Sequence, residues 1–121
     1  MPTVMVADDA EFIRLRIGRM LSDEGYVVVE AADGQEAVSV YHRARPDVVL
    51  MDLTMPNKNG LAALAEICRF DPHARVIMLT ALGQQSIMTE AIRAGARDFL
   101  VKPCEPERVV HAVKRLLEMR V

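Results

Sequence analysis

Short runs of apolar and β-branched residues alternate along the whole chain with longer segments in which apolar residues recur every three or four positions. The runs cover residues 3–7, 26–30, 47–51, 75–79 and 97–101. Runs of this length and composition are typical of β-strands. The central runs are apolar at every position, which is typical of parallel strands covered by helices on both sides.

Five segments of helical length separate or follow these runs. The first is predicted to bury a stripe formed by Phe12, Ile13, Ile17, Met20 and Leu21. Gly25 supplies a left-handed stop for this helix, and the second helix opens at Asp33 and ends before Pro46. The fourth covers roughly residues 84–94 with a weaker stripe, and the fifth begins near Pro106.

Five strands alternating with five helices predict an α/β fold. The expected architecture is one doubly wound (βα)5, flavodoxin-like domain over residues 1–121. A five-stranded parallel sheet would carry helices on both of its faces. In such folds, ligands bind beyond the carboxyl ends of the strands, at the point where the strand order reverses.

Composition narrows the class of protein and of partner. The chain has 121 residues, is 51% apolar and only 4% aromatic, and carries a net charge of −2. No long basic stretch is present, so we expect no direct contact with nucleic acid. No signal peptide or membrane-spanning run is visible, and Cys68 and Cys104 suit a reducing compartment. We therefore expect a cytoplasmic protein that is not bound to a membrane. We also expect it to be a monomer.

Chemically active residues stand at four of the five predicted strand ends. They are Asp8 and Asp9 after the first strand, Asp52 after the third, Thr80 after the fourth and Lys102 after the fifth. For the strand order 2-1-3-4-5, the reversal lies between the first and third strands. That order would bring the three aspartates into one crevice.

Three carboxylates in one crevice repel and raise one another's pKa values unless a cation joins them. Mg²⁺ suits such a site because it takes few protein carboxylates and also accepts phosphate oxygens. Lys102 would add a positive charge and Thr80 a hydroxyl donor. The set predicts a carboxylate nucleophile beside a metal site that handles one phosphoryl group. Each residue alone would more simply be a cap or a solvated side chain, so the prediction depends on their coincidence.

Four segments of the chain carry a family resemblance. They read V-A-D-D, V-V-L-M-D-L-T-M-P-N-K-N-G, V-I-M-L-T-A and A-G-A-R-D-F-L-V-K-P. With them the chain resembles, over its whole length, the receiver domain of bacterial response regulators, which implies the strand order 2-1-3-4-5. The pieces D-L-T-M-P and A-L-G-Q-Q-S, and an end directly after the fifth helix, are most similar to the stand-alone chemotaxis members.

The resemblance implies a role for each strand-end residue. Asp52 would accept a phosphoryl group from a phosphohistidine of a sensor histidine kinase. Asp9 and Asp52 would bind Mg²⁺ directly together with the main-chain carbonyl of Thr54, while Asp8 would act largely through water. Lys102 would pair with the phosphoryl oxygens. Such a protein is a signalling switch and not an enzyme, apart from its own phosphorylation and slow dephosphorylation.

The resemblance also implies how the signal is passed on and ended. Thr80 would move toward the phosphoryl group, and Phe99 would turn inward to fill the vacated space. The output partner would be a flagellar motor switch protein. Thr54 and Leu82 flank the path of the hydrolytic water and offer it no carboxylate or amide. We therefore expect slow loss of the phosphoryl group and an auxiliary phosphatase.

Other functions remain open at this stage. Within signalling, the chain would also suit a phosphorelay intermediate or the isolated receiver of a DNA-binding regulator. A flavin-binding flavodoxin shares the topology, but Asp8 and Asp9 would repel its phosphate. A haloacid-dehalogenase-type phosphohydrolase needs a second acid two residues after its nucleophile, where this chain has Thr54.

Overall fold

The computed structural model describes residues 1–81 and 83–119, which form five strands and five helices in strict alternation. The strands are β1 Thr3–Ala7, β2 Val27–Ala31, β3 Val48–Asp52, β4 Val76–Ala81 and β5 Asp98–Lys102. The helices are α1 Glu11–Asp23, α2 Gly34–Ala44, α3 Gly60–Phe70, α4 Met88–Ala94 and α5 Pro106–Glu118. A 3-10 turn, Gln85–Ile87, precedes α4.

The strands form one parallel sheet in the order β2-β1-β3-β4-β5. The predicted α/β class and the strand order 2-1-3-4-5 are therefore confirmed. The order reverses between β1 and β3, whose register pairs Ala7 with Met51. The carboxyl ends of these two central strands consequently lie side by side.

Side chains of alternate strand residues pack into two separate hydrophobic cores, one on each face of the sheet. Met5 and Met51 point into a core shared with α2, α3 and α4. Val4 and Leu50 point into a core shared with α1 and α5. The two cores bury β1 and β3 almost completely, which fixes the positions of the residues at their ends.

Four strands end one or two residues later than the apolar pattern predicted. Asp52 and Lys102 are the last residues of β3 and β5, and Thr80 lies inside β4. The ladder of backbone hydrogen bonds continues past the last apolar side chain, since the N–H of Leu53 donates to the Leu79 carbonyl at 3.0 Å. The main chain can make these bonds whether the side chain is apolar or charged.

The structure confirms one predicted helix cap and corrects two other predictions about the helices. Asp33 caps α2 as predicted, because its side chain accepts from the Glu36 N–H at 2.7 Å. Phe12 is 71% exposed, so its place in the buried stripe of α1 was wrong. The predicted fourth helix begins as a 3-10 turn, in which the Ile87 N–H donates to the Gln84 carbonyl at 3.0 Å.

Within residues 1–81 and 83–119, no helix has the length and apolar character of a membrane span.

Candidate functional site

The three predicted aspartates meet at the carboxyl ends of β1 and β3. Carboxylate oxygens of Asp8, Asp9 and Asp52 all lie within 4.8 Å of one another. Asp8 is fully buried and Asp52 is 8% exposed, while Asp9 lies at the surface. The crevice is thus open to solvent on one side and enclosed by the sheet on the other.

Lys102 joins two of these carboxylates from the end of β5. Its Nζ donates to Asp8 Oδ2 and to Asp52 Oδ1, at 3.0 Å in each case. The Lys102 side chain is 32% exposed, so the pair is only partly screened by water. One ammonium group therefore offsets part of the negative charge of three carboxylates.

Burial and Lys102 act in opposite directions on the pKa of Asp52. Burial is the largest single cause and raises the pKa, Lys102 lowers it through its hydrogen bond and its charge, and the charges of Asp8 and Asp9 raise it again. An ion pair usually lowers the pKa of its acid, but here the net direction is upward because burial and the two neighbouring carboxylates together outweigh Lys102. Burial alone would lower the pKa of Lys102, yet its bonds to Asp52 and Asp8 raise it. The predicted upward shift is correct for Asp52, although burial contributes more to it than repulsion.

The loop after β1 is held by Arg14, a residue that no sequence pattern indicated. Its Nη1 donates to the main-chain carbonyl of Asp8 at 2.7 Å, and its Nε donates to Glu30 Oε1 at 3.1 Å. Asp8 Oδ1 accepts from the Ala10 N–H at 2.9 Å, which fixes the carboxylate from within the loop. The main chain of Asp8 is thus held by Arg14 and its carboxylate by the Ala10 N–H.

The loop after β3 is held against Asp52 by a close backbone contact. The Gly60 N–H donates to the Leu53 carbonyl at 2.8 Å. A Cβ atom at position 60 would overlap the main-chain carbonyl of Asp52, so only glycine fits there. Asn57 has a φ of 68° and donates its side-chain N–H to Asp33 Oδ2 at 2.8 Å. These contacts fix the loop that carries Thr54.

Thr80 and Phe99 lie beside the crevice, toward the far edge of the sheet. Thr80 is 3% exposed, and its hydroxyl donates to the Leu100 carbonyl at 3.4 Å, which is a long and weak bond. Phe99 is half-buried and lines a cavity of about 420 Å³ between β5 and α5. The complete lining is Asp98, Phe99, Leu100, Glu107, Arg108, His111, Ala112 and Arg115. We call this surface the β5–α5 face.

A second residue missed by the sequence prediction is Gln84. Its side-chain oxygen accepts from the Ala81 N–H at 2.7 Å, and its side-chain nitrogen donates to Thr54 Oγ1 at 3.1 Å. It therefore links the ends of β3 and β4 across the crevice. Leu82, the other predicted hydrolysis position, lies outside the described residues.

The residues of the crevice fit a magnesium ion. Three carboxylates offer hard oxygen ligands around one point, and the open side leaves room for water or phosphate oxygens. The main-chain carbonyl of Thr54 stays a prediction as a fourth ligand. A carboxylate beside a divalent cation and an ammonium group is suited to accept a phosphoryl group.

Comparisons with known proteins agree with this geometry. The family model described as "Response regulator receiver domain" matches residues 4–114. Protein CcdB of Bacillus subtilis is 52% identical over 118 residues, covering 97% of this chain and 98% of that protein. Chemotaxis protein CheY of Thermotoga maritima is 46% identical over 114 residues, covering 93% of this chain and 95% of that protein.

The fold of this chain also matches that of a solved structure. The receiver domain of NtrX from Brucella abortus superposes with a TM-score of 0.91 at 33% identity, covering 97% of this chain and 99% of that chain. The family match spans most of the sequence, and the relatives align over nearly their whole length. This chain therefore belongs to the response regulator receiver domains, the CheY-like signalling modules of two-component systems.

Proposed function

We propose that this receiver is switched on when Asp52 accepts a phosphoryl group from the phosphohistidine of a sensor histidine kinase. The observation that carries the proposal is the position of Asp52 at the strand-order reversal, 3.0 Å from Lys102 and grouped with Asp8 and Asp9. A carboxylate oxygen forms the new P–O bond as the P–N bond to the imidazole breaks, and the imidazole leaves as the neutral base after taking a proton.

Each surrounding residue has a role in this transfer. Asp8, Asp9 and Asp52 would hold Mg²⁺, which when bound offsets the charge of the phosphoryl oxygens. Lys102 sits at Asp52 Oδ1 and is positioned to pair with a phosphoryl oxygen after transfer. The raised pKa of Asp52 makes the carboxylate a more basic, and hence stronger, nucleophile than an exposed aspartate.

Thr80 and Phe99 form the proposed switch. The Thr80 hydroxyl has only a weak bond to Leu100 to give up, so it is available to donate to a phosphoryl oxygen. Its movement would leave space that Phe99 fills by turning inward from the β5–α5 face. The proposed output partner is a flagellar motor switch protein, because relatives at 46% identity are chemotaxis proteins.

The setting of this switch follows from the proposed donor. We place the protein in the cytoplasm as a monomer, where the free thiols Cys68 and Cys104 stay reduced. An auxiliary phosphatase would end the signal, because Thr54 offers the hydrolytic water only a hydroxyl.

Intact mass spectrometry tests the proposal directly. Incubation with acetyl phosphate and Mg²⁺ should add the mass of one phosphoryl group, and Asp52→Asn should abolish the gain. Asp47→Asn is the matched control, because Asp47 directly precedes β3 at the end opposite to Asp52, where its carboxylate accepts from the Thr3 N–H at 2.7 Å. Full labelling of Asp52→Asn would refute the assignment of Asp52 as acceptor.

A further inference from the structure

The β3–β4 ladder leaves one backbone donor without its regular partner. The Leu53 N–H donates to the Leu79 carbonyl, and in a parallel ladder the next bond would run from the Ala81 N–H to the Leu53 carbonyl. That carbonyl instead accepts from Gly60. The Ala81 N–H therefore points toward the end of β3, where Asp52 lies, and requires another acceptor.

Gln84 supplies that acceptor and reaches the opposite loop with the same group. Its Oε1 accepts from the Ala81 N–H at 2.7 Å while its Nε2 donates to Thr54 Oγ1 at 3.1 Å. The main chain of Gln84 also donates to the Ala81 carbonyl at 3.1 Å. One planar carboxamide thus joins the residue after Thr80 to the residue two positions after Asp52.

A phosphoryl group on Asp52 would bring three strong acceptor oxygens to this strand edge. A charged phosphoryl oxygen accepts hydrogen bonds more strongly than a neutral carboxamide oxygen does. It would therefore compete with Gln84 for the Ala81 N–H, in the space where the Thr80 hydroxyl would also have to move. The two bonds of Gln84 hold the crevice in the arrangement that this competition disrupts.

We propose that Gln84 is a positioning residue that straps the crevice in its unphosphorylated form and releases the Ala81 N–H when Asp52 carries a phosphoryl group. The strap opposes phosphorylation, because its bonds break before the phosphoryl oxygen gains this donor. Release also frees the start of the 3-10 turn, where the Ile87 N–H donates to the Gln84 carbonyl. The competition rests on the proposed phosphorylation of Asp52, whereas the strap itself does not.

The strap is tested first without any phosphodonor, by amide hydrogen exchange followed by NMR. The Ala81 amide should exchange about three- to tenfold faster in Gln84→Ala than in the wild type, as expected for the loss of one hydrogen bond. Gln35→Ala is the control, because Gln35 is an exposed glutamine on α2, whereas the bonds to Ala81 and Thr54 are made by Gln84. Equal exchange of Ala81 in the wild type and Gln84→Ala would overturn the strap.

The competition is tested with beryllium trifluoride and Mg²⁺, a tetrahedral mimic of a phosphoryl group. Gln84→Ala and the near-isosteric Gln84→Met should each bind the mimic about three- to tenfold more tightly, since no internal bond to Ala81 has to break. Gln84→Glu should bind it more weakly than the wild type. Its carboxylate still accepts from Ala81, and its charge repels the mimic.

The affinity for the mimic should rise in Gln84→Ala and Gln84→Met but fall in Gln84→Glu. A merely structural role of Gln84 would not change the affinity in opposite directions. Unchanged or weaker binding in both Gln84→Ala and Gln84→Met would overturn the competition, as would tighter binding in Gln84→Glu. Gln35→Ala should match the wild type throughout. A wild type that binds no mimic and takes no phosphoryl group would overturn the proposed function together with the competition, and the exchange of Ala81 would then still decide whether the strap exists.

Discussion

The Asp52 carboxylate stands between one cation and two anions at the edge of an apolar sheet. Lys102 lies 3.0 Å from Asp52, but burial and the two neighbouring carboxylates outweigh it and keep the pKa of Asp52 raised. The folded protein thus binds the Asp52 proton more tightly than the unfolded chain does. Ionisation of Asp52 consequently destabilises the fold, which is a cost typical of functional sites.

Substitution of Asp52 should reveal that cost. Because the folded pKa of Asp52 lies above the ordinary aspartate value of 3.8, the destabilisation is absent below pH 3.8 and complete once the pH exceeds the folded pKa. Without Mg²⁺, Asp52→Asn should raise the thermal midpoint at pH 7 by a few degrees, roughly the effect of 1 kcal/mol in a domain of this size. The advantage should shrink as the pH falls toward 4. A lower thermal midpoint for Asp52→Asn than for the wild type at pH 7 would contradict the expectation that ionised Asp52 destabilises the fold.

Magnesium should stabilise the fold by mass action, because it binds the assembled carboxylates of the native state. At about 100 times its Kd, a ligand adds roughly 2.7 kcal/mol. Asp9→Ala should weaken Mg²⁺ binding at least about tenfold, or ~1.4 kcal/mol. It should also raise the metal-free midpoint, since the charge of Asp9 raises the pKa of Asp52. Thermal unfolding across an Mg²⁺ titration measures both effects.

The control for this titration is Glu90→Ala, which removes an exposed acid from α4. It should leave the response to Mg²⁺ unchanged. If Asp9→Ala retained the full metal response, the ion would have to bind elsewhere.

We expect Thr54 and Leu82 to set the lifetime of the phosphoryl group. Neither side chain can hold a water in line with the P–O bond through a carboxylate or amide, so we expect slow spontaneous loss. Thr54→Asn combined with Leu82→Glu should speed hydrolysis by about tenfold, or ~1.4 kcal/mol of barrier. The measurement is phosphate release after removal of the donor, with Mg²⁺ present. A wild-type lifetime of seconds, or no acceleration in the double variant, would contradict the expectation.

The place of some residues in the crevice could be predicted from the sequence, and the place of others could not. Asp8, Asp9 and Asp52 could be found because each follows an apolar run, and the fold rule brings strand ends together. Gln84 could not be found, because its partner Thr54 is 30 positions away in a different loop. A polar side chain in a loop carries no periodicity that would indicate which way it points.

At the scale of elements, the loop between β3 and α3 requires a glycine, which has no side chain, at position 60. Gly60 is the first residue of α3 and packs directly on the main chain of Asp52. The backbone at Asp52 belongs to a buried ladder and cannot move away from a new Cβ atom. Helix α3 and strand β3 are therefore held in a fixed relative position at this point.

Gly60→Ala should destabilise the protein by about 2–3 kcal/mol, the upper part of the usual range for overpacking. It should also slow phosphorylation, since Asp52 has to shift. Gly18→Ala is the matched control, because its Cβ would meet only Val28 Cγ1 at an ordinary 3.4 Å. That change should leave stability unchanged or raise it by up to ~1 kcal/mol, the difference in helix propensity. Denaturant unfolding compares the two, and equal stabilities would contradict the close contact.

The existence and type of the ten main elements could be predicted, but their ends could not. Apolar periodicity reports which side chains are buried, whereas a strand ends where its backbone ladder ends. The N–H of Leu53 still bonds to β4, so the ladder includes the charged Asp52. The start of α4 was misjudged for a similar reason, because a 3-10 turn and an α-helix place apolar residues at nearly the same spacing.

At the scale of the whole molecule, Thr80 connects the crevice to the β5–α5 face. Its hydroxyl faces the Leu100 carbonyl, and Leu100 also lines the cavity of that face. Phe99 lines the same cavity while packing against the core beneath α3 and α4. A change at Asp52 can therefore reach the outer surface through two adjacent residues of β5.

Coupling between the two sites should be lost when the Thr80 hydroxyl is removed. Phosphorylation of Asp52 is expected to tighten binding of a helical segment of a flagellar motor switch protein at the β5–α5 face by roughly 1–2 kcal/mol, a typical coupling energy. Thr80→Ala should still take the phosphoryl group but bind the segment equally in both states. Titration of a labelled peptide against phosphorylated and unphosphorylated protein measures the difference. His111→Ala, which alters the β5–α5 face itself, should change affinity in both states by the same factor and leave the coupling intact. Equal affinities of the two wild-type states would refute the coupling, and full coupling in Thr80→Ala would show that the signal takes another route.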